Sequence, residues 1–469
     1  MTVSINHDDV GLDKDANTLK TSGISLYRLV LLSVVGLLGI AQIVPNWLLV
    51  SVVTLVVMIE FLERLDCGLP LIPMTVLIAV LQWLLGPTLV YLSEYPFGRY
   101  RMYVEENIYF QYALPATTFY AVAMLAMGRT LQQRELLQTV DRSNFVKIGF
   151  FLTMVGAMAH FAAPRFSGNY QFVLFLLSQS MYVGAVYFLM SKHEWRLIFA
   201  TGPILFLLMT SLASGRFHDL LIWSAVLFCY WFAERRYFLV TKILIFATIG
   251  LLVFGIQSVK NTYRAALKRG DNPSLVGLMR ESLQPGGMAW EEGALSNALV
   301  RLNQGWIISA ILYHVPAGEP FAEGETVRDA FVSSLLPRFL APEKKGAGGR
   351  ENFRRFTGLE IGESTTMGIS PLGEAYANFG VMGGILALTL YGVLFAAAYR
   401  VLIAFLPTLP TFYFWLPFIF YQSIKAETEF VVIVNQLAKG TVAAIILYYL
   451  VNLNFRRSTK VRLVSHKGT

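Results

Sequence analysis

The chain has 469 residues, of which 55% are hydrophobic and only 14% charged, with a mean hydropathy of +0.55. A water-soluble protein of this size needs more polar surface than that, so disorder and most soluble enzymes are excluded and an all-α polytopic membrane protein is expected. Lys and Arg exceed Asp and Glu by 38 to 30, a formal +8; in such a chain the excess marks cytoplasmic loops, and no basic stripe with interleaved aromatics points to nucleic acid.

Residues 1–26 form an acidic and polar head without the basic start and small-residue cleavage site of a secretory signal, and are expected to stay as a cytoplasmic tail. A bilayer core about 30 Å thick takes about 20 apolar residues as a helix. By that measure nine spans fill 27–256, at 27–44, 46–63, 69–92, 109–128, 145–163, 171–190, 197–213, 219–235 and 238–256. Three more fill 372–453, at 372–398, 403–424 and 432–453, making about twelve, and a basic cytoplasmic tail closes the chain at 454–469.

Short connections keep their Lys and Arg on one side: Arg64, then Arg129, Arg134, Arg142 and Lys147, then Lys192 and Arg196, Arg235 and Arg236, and Arg400. The opposite side holds fewer, at Arg99, Arg101, Arg165, Arg216 and Lys425, so both termini are expected in the cytoplasm. The long connection 257–371 then faces the periplasm. A loop of that length without structure is uncommon, so a partly helical cap is expected there. Within it Glu292 to Val315 reads as a helix, amphipathic through Leu295, Leu299, Leu302 and Trp306 and apolar nearly all round after Trp306. No inverted repeat of the transporter kind is visible.

Polar groups beside apolar spans are costly and are therefore the first places to look for function. The turn SLASGRFHDLL packs Arg216, His218 and Asp219 between two short spans, either lining an outer cavity or capping a hairpin. The large loop carries Lys260, Arg264, Lys268, Arg269, Arg301, Arg338, Lys344, Lys345, Arg350, Arg354 and Arg355. Guanidinium forks suit a pyrophosphate, and several converging cations would stabilise it as a leaving group, although most of these side chains also read as ordinary surface charge.

At the mouth of the tenth span Glu374, Tyr376 and Asn378 interrupt a small and apolar run, with Gly373, Gly380, Gly383 and Gly384 allowing close helix approach. Glu374 suits a general base on a sugar hydroxyl, or an internal salt bridge to an outer arginine. Glu427 and Glu429 read as a solvated loop pair. Cys67 and Cys229 are too far apart for a disulfide framework or thiolate site, the six histidines are dispersed, and no phosphate-binding glycine loop or metal motif is present, so no metal or cofactor is expected.

Twelve or so spans, the SGRFHD turn, LPRFLAPEKK at 336–345 and SPLGEAYANFGVMGG at 370–384 resemble the bacterial oligosaccharide repeat-unit polymerases, the Wzy-type O-antigen and exopolysaccharide polymerases. The resemblance covers most of the chain in architecture and about thirty residues in motif. It implies a C-type membrane glycosyltransferase fold and a metal-independent enzyme of lipopolysaccharide or exopolysaccharide biosynthesis. The enzyme would work on undecaprenyl-type polyprenyl-pyrophosphate-linked oligosaccharides, at the periplasmic face of the bacterial inner membrane.

Carried over, Arg216 corresponds to the family's outer arginine turn, Arg338 with Lys344 or Lys345 to its Pro-Arg…Lys segment, and Glu374, Tyr376 and Asn378 to its closing motif. Arg264 and Arg301 rest on their charge and placement. The implied chemistry has arginines binding the donor pyrophosphate, Glu374 or His218 deprotonating the acceptor hydroxyl, and Trp290 or Trp306 stacking on sugars or anchoring at the interface. A flippase and a chain-length regulator are the implied partners. O-antigen ligases usually carry His-Asn where this chain reads Gly-Ile-Ser-Pro, which argues against a ligase. A flippase or other transporter, the rival from another class, would show mid-span charges and repeats.

Overall fold

The computed structural model describes residues 21–93, 97–166, 168–214, 218–235, 237–246, 274–284, 302–335, 349–362 and 367–455, with the isolated positions 248, 263, 266, 269, 299 and 300. The fold is all-α. The one strand pairing among the described residues is a two-residue antiparallel contact of Thr21–Ser22 with Thr130–Leu131.

Among the described residues seven helices are long and apolar enough to cross a membrane, and they coincide with seven expected spans: α2 (Asn46–Arg64), α3 (Leu71–Tyr91), α6 (Phe145–Ala162), α7 (Gly168–Met190), α8 (Arg196–Ser214), α14 (Ser370–Ala404) and α15 (Phe430–Phe455). The remaining expected spans differ, each for a local reason. α1 (Leu26–Ala41) and α9 (His218–Ala233) are apolar but have only 16 residues each. α1 stops because Gln42 turns left-handed at φ 52° ahead of Pro45. α4 (Glu106–Met127) has 22 residues but carries Gln111, Thr117, Thr118 and Pro115, so it is less apolar and is buried among its neighbours. Of 238–256, residues 247 and 249–256 lie outside the described residues.

The span expected at 403–424 is not one helix. α14 ends at Ala404, and the chain continues as a 3-10 stretch (Pro410–Trp415) and two single turns (Leu416–Ile419 and Tyr421–Ile424). Pro407, Pro410 and Pro417 remove backbone donors along it. Broken backbone at membrane depth is tolerated where protein surrounds it, and Tyr413, Phe414, Trp415, Phe418, Phe420 and Tyr421 are all buried. Buried phenols and an indole tie this stretch and the residues just after it to neighbouring segments. Tyr230 Oη donates to Tyr413 O at 2.9 Å, Leu69 N donates to Tyr413 Oη at 2.6 Å, and Trp83 Nε1 donates to Ala426 O at 3.1 Å.

Close packing elsewhere relies on small residues. A Cβ at Gly156 on α6 would fall 2.6 Å from Met181 Cβ on α7, and one at Gly184 on α7 would fall 2.8 Å from Gly149 O on α6. α14 bends at Gly380, whose φ of 67° and ψ of −162° leave the helical region. The helix expected over Glu292 to Val315 is described from Gly305, where α11 (Gly305–His314) begins after a break at Asn303 and Gln304; residues 292–298 and Arg301 lie outside the described part. Other helices described in the 257–371 connection are α10 (Leu275–Leu283), α12 (Glu325–Leu335) and α13 (Gly349–Thr357), while α5 (Gln133–Thr139) joins α4 to α6.

One end of the bundle carries a set of paired charges. Arg28 Nη1 lies 2.7 Å from Glu60 and 2.6 Å from Glu63, Glu60 also pairs with Arg64, and Lys242 lies 2.7 Å from Asp66. This is the end that the charge bias predicts to face the cytoplasm.

Candidate functional site

The opposite end holds a polar cavity of about 410 Å³, walled by Tyr100, Gln304, Trp306, Lys425, Glu427 and Glu429 together with backbone at Gly349 and Gly368. Both glycines are required by close approach. A Cβ at Gly368 would stand 2.4 Å from Glu427 O, and one at Gly349 would stand 2.5 Å from Met367 O. The connection between Tyr421–Ile424 and α15 therefore packs backbone to backbone against the 367–369 segment, which fixes where its side chains point.

Two of the residues expected from the sequence lie at this end. His218, the first residue of α9, places Nδ1 3.6 Å from Glu427 Oε1, and Gln304 Nε2 donates to Glu427 Oε2 at 3.1 Å. A carboxylate beside an imidazole orients the ring. Next to His218, Asp219 accepts from Lys425 Nζ at 3.0 Å and from Tyr421 Oη, and the Lys425 ammonium lies 4.3 Å from the centre of the Tyr421 ring. His218 and Asp219 thus contact Glu427 and Lys425 of the cavity wall, while 215–217 of the SGRFHD turn lie outside the described residues.

Glu374 is 2% exposed, and its Oε2 accepts from Phe430 N at 2.8 Å, so it holds the start of α15 instead of projecting into the polar cavity. It has no salt bridge to an arginine among the described residues. Tyr376 and Asn378 tie down the loop from 315 to 326. Tyr376 Oη donates to Val315 O at 3.2 Å, while Asn378 accepts from Gly324 N at 3.0 Å and donates to Thr326 Oγ1 and to Glu374 O at 2.8 Å. Their polar atoms are spent inside the protein, and neither lines the polar cavity.

Arg216, Arg264, Arg301, Arg338, Lys344, Lys345 and Trp290 lie outside the described residues. Of the other loop cations, Arg355 pairs with Glu319 at 2.5 Å and Glu325 at 2.9 Å, and Arg354 pairs with Glu360. Trp306 is buried in the cavity wall with its ring edge-on to Tyr100 at 5.1 Å.

The expectation of a solvated Glu427 and Glu429 pair needs correcting. Glu427 is partly exposed, but Glu429 is 2% exposed and its Oε2 accepts from Asn352 Nδ2 on α13 at 3.1 Å. Burial, reinforced by the Glu374 charge, pushes the Glu429 carboxyl up to about 8, against the lowering effect of the Asn352 hydrogen bond. Hydropathy could not reveal this, because the helix that covers Glu429 is distant in sequence. The available signal was the density of charge in KAETE, between two apolar stretches.

Beside the polar cavity runs an apolar groove of about 240 Å³, walled by Phe331 on α12, by Pro371, Leu388, Tyr391 and Leu394 on α14, and by Phe430. Leu386, Leu390 and Leu394 are exposed on the outer surface of α14, so the groove opens on an apolar face. Glu374 and Phe430 wall the groove while Glu429 walls the polar cavity, so consecutive residues of the chain, Glu429 and Phe430, face the two spaces. Among family models, curated proteins and solved structures, none matches this chain.

Proposed function

We propose that this protein is a polymerase of polyprenyl-pyrophosphate-linked oligosaccharide repeat units, acting by glycosyl transfer at the outer face of the bacterial inner membrane. The observation that carries the reading is a polar cavity, lined by carboxylates, amides and aromatic rings, beside an apolar groove that opens on the hydrophobic surface, with the consecutive residues Glu429 and Phe430 facing one each. A lipid-linked sugar is an amphiphile with that division, its hydroxyls suited to the cavity and its isoprenoid chain to the groove. The resemblance of the SGRFHD, LPRFLAPEKK and SPLGEAYANFGVMGG segments to Wzy-type polymerases supports the same reading.

In this mechanism His218, oriented by Glu427, accepts the proton of the acceptor hydroxyl. The hydroxyl oxygen forms a bond to the anomeric carbon of the donor. The bond from that carbon to the pyrophosphate oxygen breaks, and the electron pair leaves with the polyprenyl pyrophosphate. Lys425 is a described cation at the cavity, with Arg216, Arg264, Arg301, Arg338, Lys344 and Lys345 as further cations of the leaving-group site. Glu374 positions the start of α15, and Trp306 is a wall against which a sugar face can rest. The activated donor supplies the free energy, so the reaction asks for neither nucleotide nor metal.

The test is incubation of the purified full-length protein in detergent with an authentic polyprenyl-pyrophosphate-linked oligosaccharide, products being sized on a gel. A ladder spaced by one repeat unit is expected. Absence of a ladder together with passage of the intact lipid across a vesicle bilayer would replace the polymerase with a transporter.

A further inference from the structure

Two carboxylates, one on the groove and one on the cavity, have no countercharge among the described residues. Glu374 and Glu429 are each 2% exposed, and neither takes part in an ion pair among the described residues. Each has one oxygen occupied, Glu374 Oε2 by Phe430 N–H at 2.8 Å and Glu429 Oε2 by Asn352 Nδ2 at 3.1 Å, and one oxygen without a hydrogen bond. They are electrostatic neighbours, because the N–H that binds Glu374 belongs to the residue after Glu429.

Among the described residues, the groups that act on them carry no positive charge. α13 contributes the neutral Asn352, the 367–369 segment the Ile369 N–H, α12 the Thr326 hydroxyl, and α14 the Tyr391 phenol beside Glu374. Lys425 and Glu427 line the same cavity, but Lys425 is engaged with Asp219. Two bare negative charges in so dry a place would repel at a cost that one bound proton removes. A carboxyl held neutral can also donate a hydrogen bond, which a carboxylate cannot.

Resting on the polymerase reading, we propose that Glu374 and Glu429 hold one proton between them, and that Glu429, the half facing the cavity, donates it as a hydrogen bond to a sugar oxygen of the bound repeat unit. Glu429 is then a substrate-binding residue, and Glu374 is the positioning residue that keeps it protonated. Gly349 makes room for this arrangement, since a Cβ there would stand 2.9 Å from Glu429 Oε1.

The experiment uses purified full-length protein and two readouts. Infrared spectroscopy at neutral pH should show the carbonyl band of a buried carboxylic acid, altered in both Glu374→Gln and Glu429→Gln because the proton belongs to the pair. In the ladder assay, the KM for the lipid-linked oligosaccharide should rise about tenfold or more when the wild type is made alkaline, while Glu429→Gln, whose amide donates at every pH, should hold KM within about threefold. Glu429→Ala should raise KM at all pH values with a smaller effect on kcat. No acid band in the wild type, a band altered by only one variant, or a Glu429→Gln KM that climbs with pH as the wild type does would overturn the proposal. A missing ladder with the acid band present would remove the polymerase reading and leave the shared proton standing, so the two failures are distinguishable.

Discussion

The two ends of the bundle handle buried charge in opposite ways. At one end Glu60 and Arg64, each 2% exposed, face one another, and Arg28 closes the set, so every buried charge there has an opposite partner within a few ångströms. At the other end Glu374 and Glu429 are equally buried and have only neutral partners. The first arrangement ties α1 to α2 and leaves nothing for a ligand. The second keeps unspent hydrogen-bonding capacity beside a cavity, where it is available for chemistry.

The comparison can be broken first at the paired end. Arg64→Ala leaves Glu60 buried with its charge only partly compensated and should cost about 3–5 kcal/mol, seen as a lower unfolding midpoint in detergent. A double variant, Glu60→Gln with Arg64→Gln, should recover much of that loss if pairing is the reason for the charges.

At the cavity end, the large effect is expected on rate and not on stability. His218→Ala should slow ladder formation by about 10²–10⁴-fold, with the unfolding midpoint nearly unchanged because His218 is partly exposed. Glu427→Gln should follow the same direction with a smaller loss, since it orients the imidazole without carrying the proton.

A smaller effect is expected at the third position. Tyr421→Phe removes the phenol that donates to Asp219 and should cost about 1–3 kcal/mol, and it should also loosen Lys425, raising the salt sensitivity of donor binding. Gly380→Ala, at φ 67°, should destabilise by about 1–2 kcal/mol, measured by thermal unfolding.

The smallest effect at acidic pH is expected for Glu429→Gln, where the wild-type carboxyl is already neutral. The folded protein holds that proton more tightly than the unfolded chain does, so its contribution is present at low pH and is lost as pH rises through the usual carboxylate range to about 8. The wild-type midpoint should therefore fall across that window, and Glu429→Gln should flatten the fall. An unchanged pH profile would show that the two ends of the bundle do not differ in the way drawn here.

The parts of this fold that were legible in the sequence are those set by a contiguous run of residues. Seven spans coincide with apolar stretches, because hydropathy summed over a helix is what places it in a bilayer. The misreadings fall where a run is interrupted. Residues 403–424 look like a span by composition, yet Pro407, Pro410 and Pro417 break them into short turns that only the surrounding aromatic core makes tolerable. Tyr376 and Asn378 stood out as polar residues in an apolar helix, and their partners are loop backbone and Thr326.

By itself, then, the sequence determined the class, an α-helical membrane protein. It also drew attention to the SGRFHD turn and to Glu374. Tertiary structure alone decided that His218 stands by Glu427, that Lys425 is held by Asp219, and that Glu429 is buried next to Glu374 with no ion pair among the described residues. The physical reason is that a span follows from a local sum of transfer free energies, whereas the charge state and reach of one carboxyl depend on the few groups that distant segments of the chain bring within hydrogen-bonding distance.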